Sequence, residues 1–448
     1  MKKIWAVIEH WDDKEDWWKP NLYPFNWKDL INNQFDYGLS LYNHEREAKY
    51  SSYKDEPIIK IHIDKHPLIE DKINLANQDV LNVRHFEVPI ADRYIYPIRI
   101  YGKCWYDFFY KNKLSFVNQT IIDEVKSARC ILLFVDNAEG YATQEDFDKI
   151  DSICKEYGFI KGNAYYIHNN YKIECKDEHI LKYWVSPELV NWVPNVLDYQ
   201  ISFEPDTDKF LFLNFNRRFA VHRIKFLIEL HKCRLQHKGF FSYTNIYEIE
   251  GKKESSYEFL KIAKTFLAKN MFDNFEINKD DIVYCDHLDK NAPYILDKPL
   301  SMDEYNNHAG DIGDLSLYRK TFISIVSETL YTHKSIFFSE KIFKPISLGH
   351  PFIINSSPGT LYQLQKLGFM TFSEWIDESY DEEMHFELRL KKIIRELEKL
   401  SCKSIDKLIK MREEMLPILK YNQKHLKFLQ EKYNYKKYIT EKIQGLFL

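Results

Sequence analysis

Short apolar runs separated by amphipathic stretches set the pattern of the first two hundred residues. Residues 4–8 (IWAVI) form the first such run, and residues 57–63 (PIIKIHI) form a second that is rich in β-branched side chains. Residues 128–135 (ARCILLFV) are apolar almost throughout, as a strand buried on both faces of a parallel sheet must be. Helical spacing over 120–127 leads into that run and returns over 144–157, and residues 163–168 (NAYYIH) follow as another strand. Residues 27–35, after a proline turn, are expected to form a short helix. Strand, helix and strand at this spacing predict a βαβ layer on a parallel sheet.

A polar stretch, 202–208 (SFEPDTD), interrupts the pattern, after which it starts again. Residues 209–215 (KFLFLNF) predict a strand, and a helix is expected from about 221 to 236. The strand 321–326 (TFISIV), a helix opening at Ser339, the strand 351–354 (PFII) and a helix over 358–367 follow, with 368–372 expected to return to the sheet. Beyond 379 only helical periodicity remains, over 387–400 and about 405–430. The expected fold class is therefore α/β, with two Rossmann-like domains facing across a cleft and a helical C-terminal tail. The expected boundaries are 1–205, 206–380 and 381–448.

Composition changes this picture little. At 448 residues the chain is long for one core, and 45% hydrophobic with 29% charged residues is ordinary for a globular protein. The 31 Tyr and 31 Phe suit stacking on sugars or bases, but an AT-rich coding bias produces the same excess. A net charge of −4 argues against a whole-protein grip on nucleic acid. The seven cysteines contain no CxxC pair, which fits a reducing, cytoplasmic setting and predicts neither zinc nor a disulfide framework. The run at 4–8 is too short for a signal core and reads as a buried strand. Residues 415–448 carry seven lysines against two glutamates, so the tail suits either a solvated face or peripheral contact with anionic lipid.

Candidate chemistry centres on Ser327-Glu328-Thr329, Phe338-Ser339-Glu340-Lys341-Ile342-Phe343-Lys344-Pro345-Ile346 and Leu348-Gly349-His350-Pro351. Ser339 is a good N-cap for a helix beginning at Glu340, and such an end holds an anionic diphosphate on its free N–H groups. Lys341 adds a full charge there, and Glu340 can accept hydrogen bonds from two ribose hydroxyls. Asn214-Phe215-Asn216-Arg217-Arg218, followed by His222-Arg223, lies at a strand-to-helix turn. A guanidinium at such a turn reaches a pyrophosphate in bidentate fashion, with Arg218 the first choice and Arg217 and Arg223 the alternatives. Asp136-Asn137-Ala138-Glu139-Gly140-Tyr141 follows a buried strand, where a carboxylate can take a proton from an acceptor hydroxyl. A simple capping turn reads equally well there, and neither Asp136 nor Glu139 is preferred. Asp206-Thr207-Asp208 precedes a strand instead of following one, so no metal site is expected from it.

The Ser-Glu-Lys-Ile-Phe-Lys-Pro-Ile segment, with the helix, glycine and strand after it, resembles the donor-nucleotide element of GT-B-fold glycosyltransferases. Fucosyltransferase-like and exostosin-like members, and sugar transferases of phage and surface-polysaccharide loci, are the most similar in form. Gly368-Phe369-Met370-Thr371-Phe372 and Asp377-Glu378-Ser379-Tyr380-Asp381 extend the resemblance, which covers about 209–381. It implies Glu340 on the donor ribose and Lys341 on the donor phosphates. The implied activity moves a sugar from a nucleotide-sugar donor to a hydroxyl acceptor, a surface glycan, with no cofactor beyond the donor and no obligatory metal. Glu328 is a further candidate on the donor side, and His10, ending the first strand, on the acceptor side. A phage-type DNA-base glycosyltransferase and a non-catalytic carbohydrate-binding or assembly protein are the alternatives.

Overall fold

A computed structural model describes residues 4–10, 58–64, 94–100, 109–185 (apart from 116, 118, 137–139 and 141), 193, 201–205, 208–216, 220–243, 248–249, 252–253, 255–267, 276–292, 294, 296, 313–432 and 442. The helix expected over 27–35 lies outside these residues. The chain divides into two compact units, Met1–Glu188 with Tyr433–Leu448, and Leu189–Lys432. Each is an α/β unit with a parallel sheet, as the sequence pattern predicts, and a long helix closes the second unit.

The first unit carries β1 (Ile4–His10), β2 (Ile58–Asp64), β3 (Tyr94–Ile100), α1 (Gln119–Lys126), β4 (Cys130–Asp136), α2 (Gln144–Glu156), β5 (Ala164–His168) and β6 (Lys182–Val185). Its six strands run parallel in the order β2-β1-β3-β4-β5-β6. Every residue of β4 is buried, which explains its unbroken apolar run. Strand β3 escapes a sequence reading because Pro97 reads as a strand breaker. It pairs with β4 along its whole length, while its ladder to β1 stops at Ile95 before the missing N–H of Pro97. Helix α2 starts where Thr143 and Asp146 form a reciprocal capping box.

The second unit carries β7 (Phe212–Asn214), α3 (Val221–Lys232), β8 (Phe240–Phe241), a small hairpin of β9 (Glu248–Ile249) and β10 (Lys252–Lys253), α4 (Ser256–Leu267), α5 (Lys279–Asn291), α6 (Leu315–Lys320), β11 (Ile323–Ser327), α7 (Glu340–Ser347), β12 (Phe352–Asn355), α8 (Thr360–Lys366), α9 (Phe386–Ser401) and α10 (Ile405–Lys432). The main sheet is parallel in the order β12-β11-β7-β8. Helix α3 ends at Lys232, short of the expected 236, because Arg234 turns the chain with φ of 56°. Helix α10 closes over the sheet's N-terminal end, where Arg412 donates to the Phe322 carbonyl at 2.8 Å.

One expectation is corrected. Residues 368–372 do not return to the sheet; they form a loop held by side chains. Glu378 accepts from the Phe372 N–H at 2.7 Å and from the Thr371 hydroxyl at 2.8 Å. A carboxylate thus takes the place a neighbouring strand would fill, and the two motifs that looked like separate signatures lock each other. Asp381 likewise caps α8 through the N–H groups of Leu361 and Tyr362. No helix among the described residues is long and apolar enough to cross a membrane.

Candidate functional site

In an open parallel sheet, ligands bind beyond the C-terminal ends of the strands where the strand order reverses. In the second unit that point lies between β7 and β11, since β7 is followed by β8 on one side and by β11 on the other. Polar residues end each strand there. Asn214 closes β7, Ser327 closes β11 and Asn355 closes β12, and all three are buried. Asn214 Nδ2 donates to the Ile325 carbonyl at 2.7 Å and lies 3.3 Å from Ser327 Oγ, so it spans the switch. Asn355 Nδ2 reaches the same hydroxyl at 3.3 Å. Asn216 donates through Nδ2 to Asn214 Oδ1, and its N–H donates to Ser242 Oγ at 2.8 Å. The side-chain oxygens of Asn216 and Asn355 have no hydrogen-bond partner among the described residues although they are buried. Orphaned buried acceptors are uncommon and point to an absent polar ligand or water.

Beside this floor sits the N-terminus of α7. Ser339 caps it, with the Lys341 N–H donating to Ser339 Oγ at 3.2 Å. The cap is itself oriented by Glu328, which is fully buried. Both Glu328 oxygens lie 3.3 Å from the Ser339 N–H, the Ser339 hydroxyl donates to Oε2, and the Thr329 N–H donates to Oε2 at 3.3 Å. Burial pushes the Glu328 carboxyl up, against the pull of Lys341 and Ser339. The Glu328 backbone is equally engaged. His222 Nε2 donates to its carbonyl at 2.8 Å, and Arg223 Nη2 donates to the carbonyls of Ser327 and Glu328 at 3.3 and 3.2 Å. His222 stacks on Tyr331, and its Nδ1 is a further buried atom without a partner among the described residues. Burial and the adjacent Arg223 hold this imidazole well below its usual range, so it is neutral.

At the mouth, Lys341 Nζ lies 2.9 Å from Glu340 Oε1 and also reaches Ser339 Oγ and Thr329 Oγ1. Burial pushes the Glu340 carboxyl up, but Lys341 and Lys344 outweigh it and hold it below its ordinary 4.5. A depressed folded value means stability that is present above pH 4.5 and lost as the pH falls through the folded pKa. Glu340→Gln is therefore expected to cost stability at neutral pH and progressively less in acid. Urea denaturation midpoints across that range check this, and a pH-independent difference contradicts it.

The structure brings Glu328, Ser339, Glu340 and Lys341 together at one corner of the second unit. Arg217 and Arg218, between β7 and α3 in the sequence, lie outside the described residues. Arg223, the alternative to them, is turned onto backbone carbonyls. In the first unit His10 is the last residue of β1, and Asp136 the last of β4, while Glu139 lies outside the described residues. Asp136 is buried, with the Tyr166 hydroxyl donating to Oδ2 at 3.4 Å. His168 ends β5 beside it, and burial lowers its pKa to about 3. The sequence reading gave no role to Ser242, Ser327 or Asn355. Their signal is the abrupt change from β-branched and aromatic residues to Asn or Ser at each strand end, as in FIIN-SS and ISIVS-E. Among the described residues no group of three or more His, Cys, Asp or Glu side chains forms a metal-binding cluster.

No protein-family model matches the chain, and no curated protein does. Among solved structures, it is similar to a DNA-modifying β-glucosyltransferase solved with and without uridine diphosphoglucose, at 8% identity and TM-score 0.33, over 87% of this chain and 82% of that one. It is similar to the trehalose-6-phosphate synthase OtsA at 8% identity and TM-score 0.38, over 84% and 76%. A glycosyltransferase from Rickettsia africae ESF-5 matches at 13% identity and TM-score 0.33, over 94% and 99%. These three matches are at 8–13% identity.

Proposed function

We propose that the chain is a glycosyltransferase of GT-B type that binds a nucleotide-sugar donor on its second unit. The observation that carries this reading is the convergence at the β7/β11 switch point of a capped helix N-terminus, Lys341, and buried polar atoms of Asn216, His222 and Asn355 that have no partner among the described residues. A helix N-terminus and an ammonium suit phosphates, and a floor of amide oxygens suits a hydroxylated or amino-bearing nucleoside. Glu340 accepts from the ribose hydroxyls, and Arg217 and Arg218 neutralise the leaving diphosphate together with Lys341. In transfer the acceptor oxygen bonds to the anomeric carbon and the carbon–phosphate oxygen bond breaks. The electron pair leaves with the nucleotide, and the hydroxyl proton goes to a base. The candidates for that base are His10, Asp136 and Glu139, and the proposed acceptor is a glycan hydroxyl.

The test is a thermal-shift screen against UDP, GDP, CDP, CMP, dTDP and ADP, with and without EDTA. A ligand at about a hundred times its Kd adds roughly 2.7 kcal/mol to the folded state. The expected result is a shift with one nucleotide that survives EDTA and is lost in Glu340→Ala. No shift with any of the six overturns the transferase reading in favour of a non-catalytic protein.

A further inference from the structure

Helix α10 buries one face against the second unit and turns the other to solvent. Its rotation is fixed by side-chain bonds to the segment that follows α8. Asn422 accepts from the Met370 N–H and donates to the Met370 carbonyl, each at 2.8 Å, and His425 Nε2 donates to the Leu367 carbonyl at 2.7 Å. With Leu419, Leu426 and Leu429 buried, three- and four-residue spacing raises two ridges along the outer face. One is Tyr421, His425 and Phe428; the other is Lys420, Lys424 and Lys427, all exposed.

The aromatic ridge is ordered. Tyr421 stacks on His425 at 5.8 Å with the ring planes 4° apart, and Phe428 follows at 6.0 Å from His425. Yet Tyr421 is 44% exposed, Phe428 53%, and Met370, pinned beside them by Asn422, 44%. Exposed apolar side chains normally occur singly, and a contiguous set marks a contact surface. Charge selects the occupant. Between 415 and 432, after Glu413 and Glu414, Glu431 is the one acidic residue of the helix, and the sequence continues with Lys436, Lys437 and Lys442 against Glu441.

We propose that this two-ridged face of α10 docks on an anionic lipid surface, with its lysines on the phosphate headgroups and Tyr421, Phe428 and Met370 in the interfacial layer. Nucleic acid is recognised by a basic track along the backbone. Here the cations occupy one ridge beside an apolar one, the amphipathic arrangement that a water–acyl boundary matches. The aromatic rings, each apolar on its face, suit the headgroup level where Tyr and Trp gather.

The experiment is co-sedimentation of the full chain with phosphatidylglycerol–phosphatidylcholine vesicles and with phosphatidylcholine vesicles alone. The expected result is binding to the first, weakened by salt, and little to the second. Lys420→Gln/Lys424→Gln/Lys427→Gln and Tyr421→Ser/Phe428→Ser are each expected to weaken partitioning about tenfold or more. Both variants change exposed residues on the outer face of α10, whose inner face meets the C-terminal end of α7 through Gln423 and not its capped start, so they keep the wild-type melting midpoint and any nucleotide-induced shift. Success or failure here is therefore separate from that of the donor site. Absence of vesicle binding, or binding that both variants leave intact, overturns the proposal. So does duplex or single-stranded DNA binding lost in the same variants without vesicle binding, or a concentration-dependent dimer that they dissociate.

Discussion

Lys225→Met is expected to destabilise the second unit by about 3–5 kcal/mol, the usual cost of removing one partner from a buried ion pair. Lys225 is fully buried in α3, with Asp281 Oδ2 of α5 at 2.9 Å, Glu387 Oε1 of α9 at 3.2 Å and the Glu276 carbonyl at 3.0 Å. Lys232, two turns on, takes the other Asp281 oxygen at 2.9 Å. The two lysines outweigh burial and keep the Asp281 carboxyl below its ordinary range. Methionine matches the aliphatic stem but leaves two carboxylates short of a cation. Urea denaturation measures the loss through the shift in midpoint at unchanged slope. Adding Asp281→Asn should recover part of it, because the charge stranded by the first substitution is removed by the second. A loss below 1 kcal/mol would mean that the cluster does not hold α3 between α5 and α9.

That helix also begins with His222 and Arg223, whose side chains hold the Glu328 carbonyl, so the ion cluster supports the candidate site from behind.

Glu328→Ala should be the most damaging change at the site itself. It removes the acceptor of the Ser339 N–H, the Ser339 hydroxyl and the Thr329 N–H inside a buried corner. An unsatisfied buried donor costs about 1–3 kcal/mol, and the Ser339 hydroxyl can turn elsewhere, so a loss of roughly 2–4 kcal/mol is expected. The larger effect falls on ligand binding. Glu328 is fully buried and bonded to the Ser339 cap, so it is expected to act as a positioning residue for the helix end on which Glu340 and Lys341 stand. Glu328→Gln keeps the shape and one acceptor oxygen, and should restore most of the stability and part of the nucleotide-induced shift. Glu340→Ala, by contrast, should lose that shift while the Ser339 cap stays formed. Equal nucleotide binding by Glu328→Ala and wild type would sink the positioning role.

Much of the frame was legible in the chain because strands buried on both faces tolerate only apolar residues. Thus 128–135, 163–168 and 351–354 match β4, β5 and β12 closely, and Ser339 starts α7 where its capping chemistry predicts. Glycine helped as well. Gly349 ends the α7 turn with φ of 62°, and an added Cβ would lie 3.2 Å from Gln423 of α10. Local signals failed where the decisive partner is remote. Strand β3 keeps Pro97 because β4 supplies its pairing, and 368–372 stay out of the sheet because Glu378 takes up the Phe372 N–H.

The sequence by itself determined the parallel α/β units, the capped start of α7 and the grouping of Ser339, Glu340 and Lys341, since these follow from side-chain period and from contacts within one turn. The tertiary structure alone decided which polar residues meet. Glu328 is eleven residues from Ser339, and Asn214 is more than a hundred from Ser327, yet strand order makes them neighbours at one switch point. Periodicity shows which face of a strand is buried but carries no information about which strands lie side by side. The role of Glu328 as the holder of a helix cap, and of the strand-end asparagines as a polar floor, appears only once the sheet is assembled.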